Sequence, residues 1–222
     1  MLFRSPLSRQ AFGEFLMLEQ IWETTSQRSN LTQNDTWTYI WGSGSFSAKK
    51  AYEALIGYKQ VSPLFKWIWN SSCQPKHKFF FWLLLHDRLN KRNLLRRKTF
   101  QLPSYFCATS DCNQEETLVH LFWTCPLAQE CWDFVCPNRT VNLSLHEAFL
   151  DMKEKLKSPF FMDIFILASW SIWMVRNNKI FRNEAPSFQR WKAIYLGDLD
   201  WLAYRIKPKL AEDFRSWLQS QT

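Results

Sequence analysis

The chain has 222 residues, 46% of them hydrophobic and 17% aromatic, with 13 Trp and 19 Phe but only 5 Gly. That composition excludes a disordered or fibrous chain, and the shortage of glycine argues against a phosphate-cradling Gly-rich loop. The formal net charge is +8, and nearly all of it sits at positions 76–98, where eight Lys or Arg face the single acid Asp87. Charge concentrated in this way is the footprint of a polyanionic partner or, with equal weight, a solvated helix face.

The first residues hold no long apolar run of a secretory signal. The six cysteines therefore read as reduced thiols, for metal or core, in an intracellular protein of the nucleus or cytoplasm. No membrane span is expected, since the nearest stretch, 159–175, is interrupted by Asp163.

Phe12, Phe15, Leu16, Leu18, Ile21 and Trp22 fall at helical spacing, which predicts a helix over 8–24 with one buried stripe. Polar 26–35 reads as a linker. Thr36-Trp37-Thr38-Tyr39-Ile40 alternates, Gly42-Ser43-Gly44 supplies a turn and Ser45-Phe46-Ser47 returns, which predicts a small β-hairpin. Ser47 then caps a helix over 48–57, with Ala51, Tyr52, Leu55 and Ile56 on its apolar face and Gly57 as its stop. A short aromatic helix follows over 65–69.

Pro75 opens the central helix, in which positions 79–85 are apolar all round and therefore buried. Positions 90–93 break it, and 94–98 form a second short helix. Leu89, Leu94 and Leu95 pin these segments to the core, which turns their cations toward water or a partner. The guanidinium fork matches phosphate oxygens, so Lys78, Arg88, Lys91, Arg92, Arg96, Arg97 and Lys98 are the candidate contacts to RNA or DNA. Contacts of this kind carry little base information, so low sequence specificity is expected.

The next stretch holds Cys107, Cys112, His120 and Cys125. Three thiolates and one imidazole complete a tetrahedral shell for Zn2+ with no open position, which makes a structural Cys3His site. Scattered core cysteines are the competing reading, and the histidine in register with the thiols favours the metal. Four residues separate His120 from Cys125, just past one helical turn, so a short helix entered at Glu115 or Glu116 presents both. Leu118, Leu121 and Phe122 dock it on the core. Cys73 and Cys131 read as core and Cys136 as a spare thiol.

Leu145, Phe149, Met152 and Leu156 mark the inner face of an amphipathic helix over 145–157. A long buried helix over 160–181 ends in Arg176, Lys179 and Arg182, charges that suit a helix C-terminus. Positions 187–217 are helical, with a break at Pro208. The fold class is mainly α, with a small β-hairpin in the N-terminal third and a helical core bearing a small Cys3His zinc-knuckle-like module.

Glu116-Thr117, His120-Leu121-Phe122, Cys125-Pro126-Leu127-Ala128 and Trp132 together resemble the zinc-binding region downstream of reverse transcriptase in plant non-LTR (LINE-type) retrotransposons. The resemblance continues upstream through 37–41, 46–52, Trp67-Ile68-Trp69 and 75–98. Downstream it takes in Trp170-Ser171-Ile172-Trp173, Arg176-Asn177-Asn178 and Ile180-Phe181. It implies three segments: an N-terminal helix and linker over 1–35, a reverse-transcriptase-type zinc-binding domain over 36–137 and a C-terminal helical region over 138–222. It also implies a parent polyprotein that copies RNA into DNA, and so a reverse transcriptase as partner. This chain holds no Tyr-x-Asp-Asp stretch and no clustered acids for two magnesium ions, so no enzymatic activity is expected of it.

One position departs from the family pattern. The usual spacing of the first pair, Cys, two residues, Cys, places the second thiol at Ser110. Either Cys112 takes that role with a wider loop, or the site has decayed. The expected function is a zinc-stabilised nucleic-acid-binding remnant of a retrotransposon polyprotein. The alternatives are a protein-interaction scaffold or a decayed fragment without selected function.

Overall fold

The structure is a computed structural model that describes residues 8–28, 38–42, 44–57, 62–140 and 145–219. The first residues, read above for a leader, and most of the polar linker lie outside them. The chain divides into two compact units, Met1–Gln60 and Val61–Thr222, and the described part is mainly helical.

In the first unit, α1 (Arg9–Arg28) begins after Ser8, whose hydroxyl accepts from the Ala11 amide at 3.2 Å. In α2 (Ala48–Ile56), Ser47 caps by accepting from the Lys50 amide, and Gly57 ends the helix at φ +78. The apolar stripe of α1 is not buried: Leu16, Leu18 and Trp22 are 47%, 64% and 74% exposed. Tyr52 and Leu55 on α2 are exposed as well. Spacing specifies which face is apolar, but burial needs an opposing surface, and one long helix, one short helix and a turn offer little of one.

The β-hairpin expected over 36–47 is not found among the described residues. Thr36, Trp37 and Ser43 lie outside them. The Gly42 amide donates to the Tyr39 carbonyl at 2.7 Å, so the chain already reverses inside the intended first strand. Tyr39 and Trp41 then stack face to face, centroids 4.7 Å apart, with Phe46 edge-on to Tyr39 at 5.7 Å. A turn placed that early leaves too few residues before it for a ladder.

The second unit holds α3 (Pro63–Asn70), α4 (Pro75–Leu85), α5 (Arg92–Arg97), α6 (Pro126–Val135), α7 (Leu145–Leu156), α8 (Phe161–Arg182), α9 (Phe188–Ala203) and α10 (Ala211–Gln219). Proline opens α3, α4 and α6, where its missing N–H would have had no helical acceptor. Pro208 starts a 3₁₀ turn, Pro208–Leu210, ahead of α10.

The axis of this unit is α8, which packs on α4, α6, α7 and α9. Ser169 and Ser171 are buried in it, and their hydroxyls donate to the carbonyls four residues back, at 2.9 Å each. Asp163 is buried at its start and accepts from the amides of Ser72 and Cys73, at 2.6 and 3.0 Å. Burial pushes this carboxyl above its ordinary range, against the pull of those bonds. Phe165 meets Trp132 at 4.6 Å and Phe149 edge-on at 4.8 Å. Each such ring contributes roughly 1.5–3 kcal/mol on burial, as an upper estimate. No described helix is long and apolar enough to cross a membrane.

This core does not extend over the middle of the chain. Between Leu89 and Leu121 no apolar side chain is fully buried, and Leu94, Leu95, Leu102, Cys107 and Leu118 are only half-buried. Apolar burial alone does not hold that segment in place.

Candidate metal centre and its basic neighbour

Phe106 and Glu115 form an isolated antiparallel bridge, the only such pairing among the described residues. The Cys107 amide donates to the Gln114 carbonyl at 2.8 Å, and the Glu116 amide to the Tyr105 carbonyl at 3.0 Å. These bonds pin both ends of a loop in which Asn113 takes the left-handed conformation, φ +54, that asparagine tolerates. The loop presents Cys107 and Cys112.

The other two side chains come from a π-helical turn, His120–Thr124, entered at Leu118 and not at the glutamates. It is closed by the Cys125 amide donating to the His120 carbonyl at 2.8 Å. An α-helix would set residues five apart about 140° from each other. The wider i→i+5 turn removes most of that offset, so His120 and Cys125 face the same loop. Thr117 accepts from the His120 amide at 3.0 Å, and Leu121, Phe122 and Trp123 are buried beneath.

The ligand atoms of Cys107, Cys112, His120 and Cys125 all lie within 4.8 Å of one another. The sulfurs of Cys107 and Cys125 are 3.8 Å apart, which is about the edge of a tetrahedron with Zn–S bonds of about 2.3 Å. Cys112 Sγ lies 3.1 Å from His120 Nε2, roughly half an ångström tighter than the matching S–N edge. Three sulfurs and one imidazole in this arrangement fit a tetrahedral, thiophilic metal ion. His120 turns Nε2 toward the sulfurs, while Nδ1 lies 3.4 Å from Thr124 Oγ1, which fixes the tautomer if it accepts the Nδ1 proton.

Ser110 and Thr109 also face the sulfurs. Their hydroxyls lie 3.1 and 3.3 Å from Cys125 Sγ. The hydrogen bond from Cys107 holds the Cys125 thiol well below its ordinary range, against the effect of burial and with help from both hydroxyls. The same bond, together with burial, pushes Cys107 up. The two close sulfurs titrate as a pair, with the thiolate favoured on Cys125. Ser110 therefore stands inside the site, 4.0 Å from Cys107 Sγ, while Cys112 reaches in from further along the loop. The hydroxyls of Thr109 and Thr124 gave no signal in the sequence beyond adjacency and helical spacing to a ligand.

Glu116 follows the bridge and is fully buried. Its carboxylate takes Arg176 Nη2 at 2.6 Å and the Arg92 amide at 2.8 Å, tying the loop to α8 and to the start of α5. Arg176, read from sequence as a charge suited to the end of its helix, is a buried ion-pair partner.

The seven candidate cations do not form one exposed face. Lys91 is 1% exposed, and its ammonium pairs with Asp87, so it does not present charge to a partner. The reason is local: Asp87 lies four residues back at φ +55 and aims its carboxylate at the lysine. Arg97 takes the other oxygen of Asp87 at 2.6 Å. Burial pushes the Asp87 carboxyl up, but the hydrogen bonds from Lys91 and Arg97 outweigh it and leave the group below its usual range. Arg92 is half-buried and donates to the Phe106 carbonyl at 2.6 Å. Arg96 is exposed, with Glu115 at 3.4 Å and the Tyr105 ring 5.6 Å away. Lys78 donates to the Trp69 carbonyl at 3.0 Å. Arg88 and Lys98 are exposed and, among the described residues, make no ion pair.

Residues 46–132 match the model of the family described as zinc-binding in reverse transcriptase. That stretch contains the four clustered side chains and the whole basic segment. No curated protein and no solved structure matches the chain.

Proposed function

We propose that Cys107, Cys112, His120 and Cys125 bind one structural Zn2+, and that the ion steadies the preceding segment so that its cations meet RNA or DNA. The observation that carries this reading is a cluster of four ligand atoms within 4.8 Å, at the end of a stretch, 90–120, with no fully buried apolar side chain. A shell closed by four protein ligands leaves no position for a substrate, so the ion's role is to order the chain. Binding on the order of 10 kcal/mol is enough to decide whether such a loop is folded.

The cations Lys78, Arg88, Arg92, Arg96, Arg97 and Lys98 make the contact, while Lys91, buried against Asp87, holds the scaffold. Exposed ion pairs contribute only about 0–1 kcal/mol, so Arg96 and Arg97 exchange their carboxylates for phosphate readily. The family match, with the ordered resemblance on both sides of it, supports descent from a LINE-type retrotransposon polyprotein, following its reverse transcriptase.

The test is fluorescence anisotropy with labelled RNA and DNA across a salt series, before and after chelation. The expected result is affinity that falls steeply with salt, drops on chelation and recovers with added zinc. Absent or salt-independent binding would overturn the reading. A second reading, docking to a protein such as that reverse transcriptase, is favoured by exposed Leu16, Leu18 and Trp22 on α1. It requires salt-tolerant binding to the protein partner and none to nucleic acid.

A further inference from the structure

A cleft of about 730 Å³ opens beside the metal centre, between the start of α5, the 102–111 segment and the end of α8. One wall is the metal loop itself, through Cys107 and Ser110. Lys179, Ile180 and Phe181 line it from α8. Phe181 is 76% exposed even though it lines a cavity. A smaller cleft of about 440 Å³ shares Leu102, Pro103 and Ser104, which form a ridge between the two, and is lined by Arg96, Tyr105 and Phe106. Phe106 is 53% exposed. Across this surface, the exposed rings of Phe181 and Phe106 and the half-buried ring of Tyr105 therefore alternate with cations: Phe181 with Lys179, then Arg92 by its bond to the Phe106 carbonyl, then Tyr105 under Arg96.

We propose that the larger cleft takes an unstacked base of a single-stranded nucleic acid against Phe181, with Lys179 and Arg92 on the flanking phosphates and the strand continuing over the ridge past Phe106 and Tyr105. The inference rests on the nucleic-acid reading above and specifies the form that is bound. Two observations select a single strand, and a third places its phosphates. The volume suits one small ligand, whereas the bases of a duplex are stacked out of reach of such a cleft. Exposed rings interleaved with cations are the surface that holds single strands, because every base has a π face. The charge of Arg176, at the back of the cleft, is already matched by Glu116, so the remaining positive charge of the lining lies on Arg92 and Lys179. Asn90, Ser104 and Asp111 add donors and acceptors for a base edge.

The test uses the full zinc-loaded chain with a fluorescein-labelled oligo(U) and a hairpin duplex, in wild type, Phe181→Ala, Phe181→Tyr, Lys179→Ala and the double variant Arg88→Ala/Lys98→Ala. Phe181→Ala should weaken oligo(U) binding roughly tenfold and leave duplex binding nearly unchanged. Phe181→Tyr, which keeps the ring, should bind oligo(U) like wild type. Lys179→Ala should flatten the oligo(U) salt slope by about one. If Phe181→Ala matches wild type on oligo(U) while Arg88→Ala/Lys98→Ala still weakens binding, the cleft assignment is overturned and the broader reading stands. If wild type binds neither oligomer, both are overturned.

Discussion

Glu116 Oε1 lies 2.6 Å from Arg176 Nη2, and both side chains are buried. This pair joins a loop that has little core of its own to the best-packed helix of the unit. Removing one partner of a buried pair leaves an uncompensated charge and costs about 3–5 kcal/mol, whereas replacing both with apolar groups is often neutral. Glu116→Ala should therefore lower unfolding stability in urea by that amount, and Glu116→Leu/Arg176→Met should recover most of it. A loss below about 1 kcal/mol in Glu116→Ala would show that water reaches the pair.

Ser110 Oγ is 3.1 Å from Cys125 Sγ and 4.0 Å from Cys107 Sγ. A thiol at that position would sit within reach of the same ion. Cys112→Ser should lower zinc affinity, and Ser110→Cys in that background should restore it, as read by competition with a chromogenic chelator. Failure of the second thiol to restore affinity would mean that only the wider loop geometry serves.

His77 is buried beside Trp170, ring centroids 4.9 Å apart, and neither of its ring nitrogens has a hydrogen-bond partner. Burial lowers its pKa to about 4 from 6.5, with Lys76 and Arg205 adding to the effect. Because the folded value lies below the unfolded one, the unfolded chain takes up the proton first. The stability is fully present above about pH 6.5 and is lost as pH falls toward 4, by up to about 3 kcal/mol. His77→Phe should flatten that part of the stability profile relative to wild type, measured by urea unfolding at each pH. Parallel profiles would show that the ring is hydrated.

The helices and the metal cluster were legible because their signals are local. Ser47, Pro75 and Gly57 mark helix ends by their own backbone chemistry. Cys107 and Cys112 lie close in sequence to His120 and Cys125, so spacing alone brought them together. The early turn at Gly42 was not legible, since stacking of Tyr39 on Trp41 competes with strand pairing and leaves no trace in the alternation. Counting charges at 76–98 treated each cation as solvated. In the fold, Asp87 takes two of them, and the Phe106 carbonyl takes a third. The Asp87–Lys91 spacing of four was the readable sign of the first pair. Glu116 and Arg176 stand 60 positions apart, and no periodicity links them.

The most direct test of the metal clamp is the zinc content of the purified chain, read with amide hydrogen exchange over 107–119. Wild type should carry about one zinc per chain, and Cys125→Ser should lose both the metal and the protection of that segment while the α8 core stays protected. A wild-type chain that is free of metal and still protected across 107–119 would contradict it.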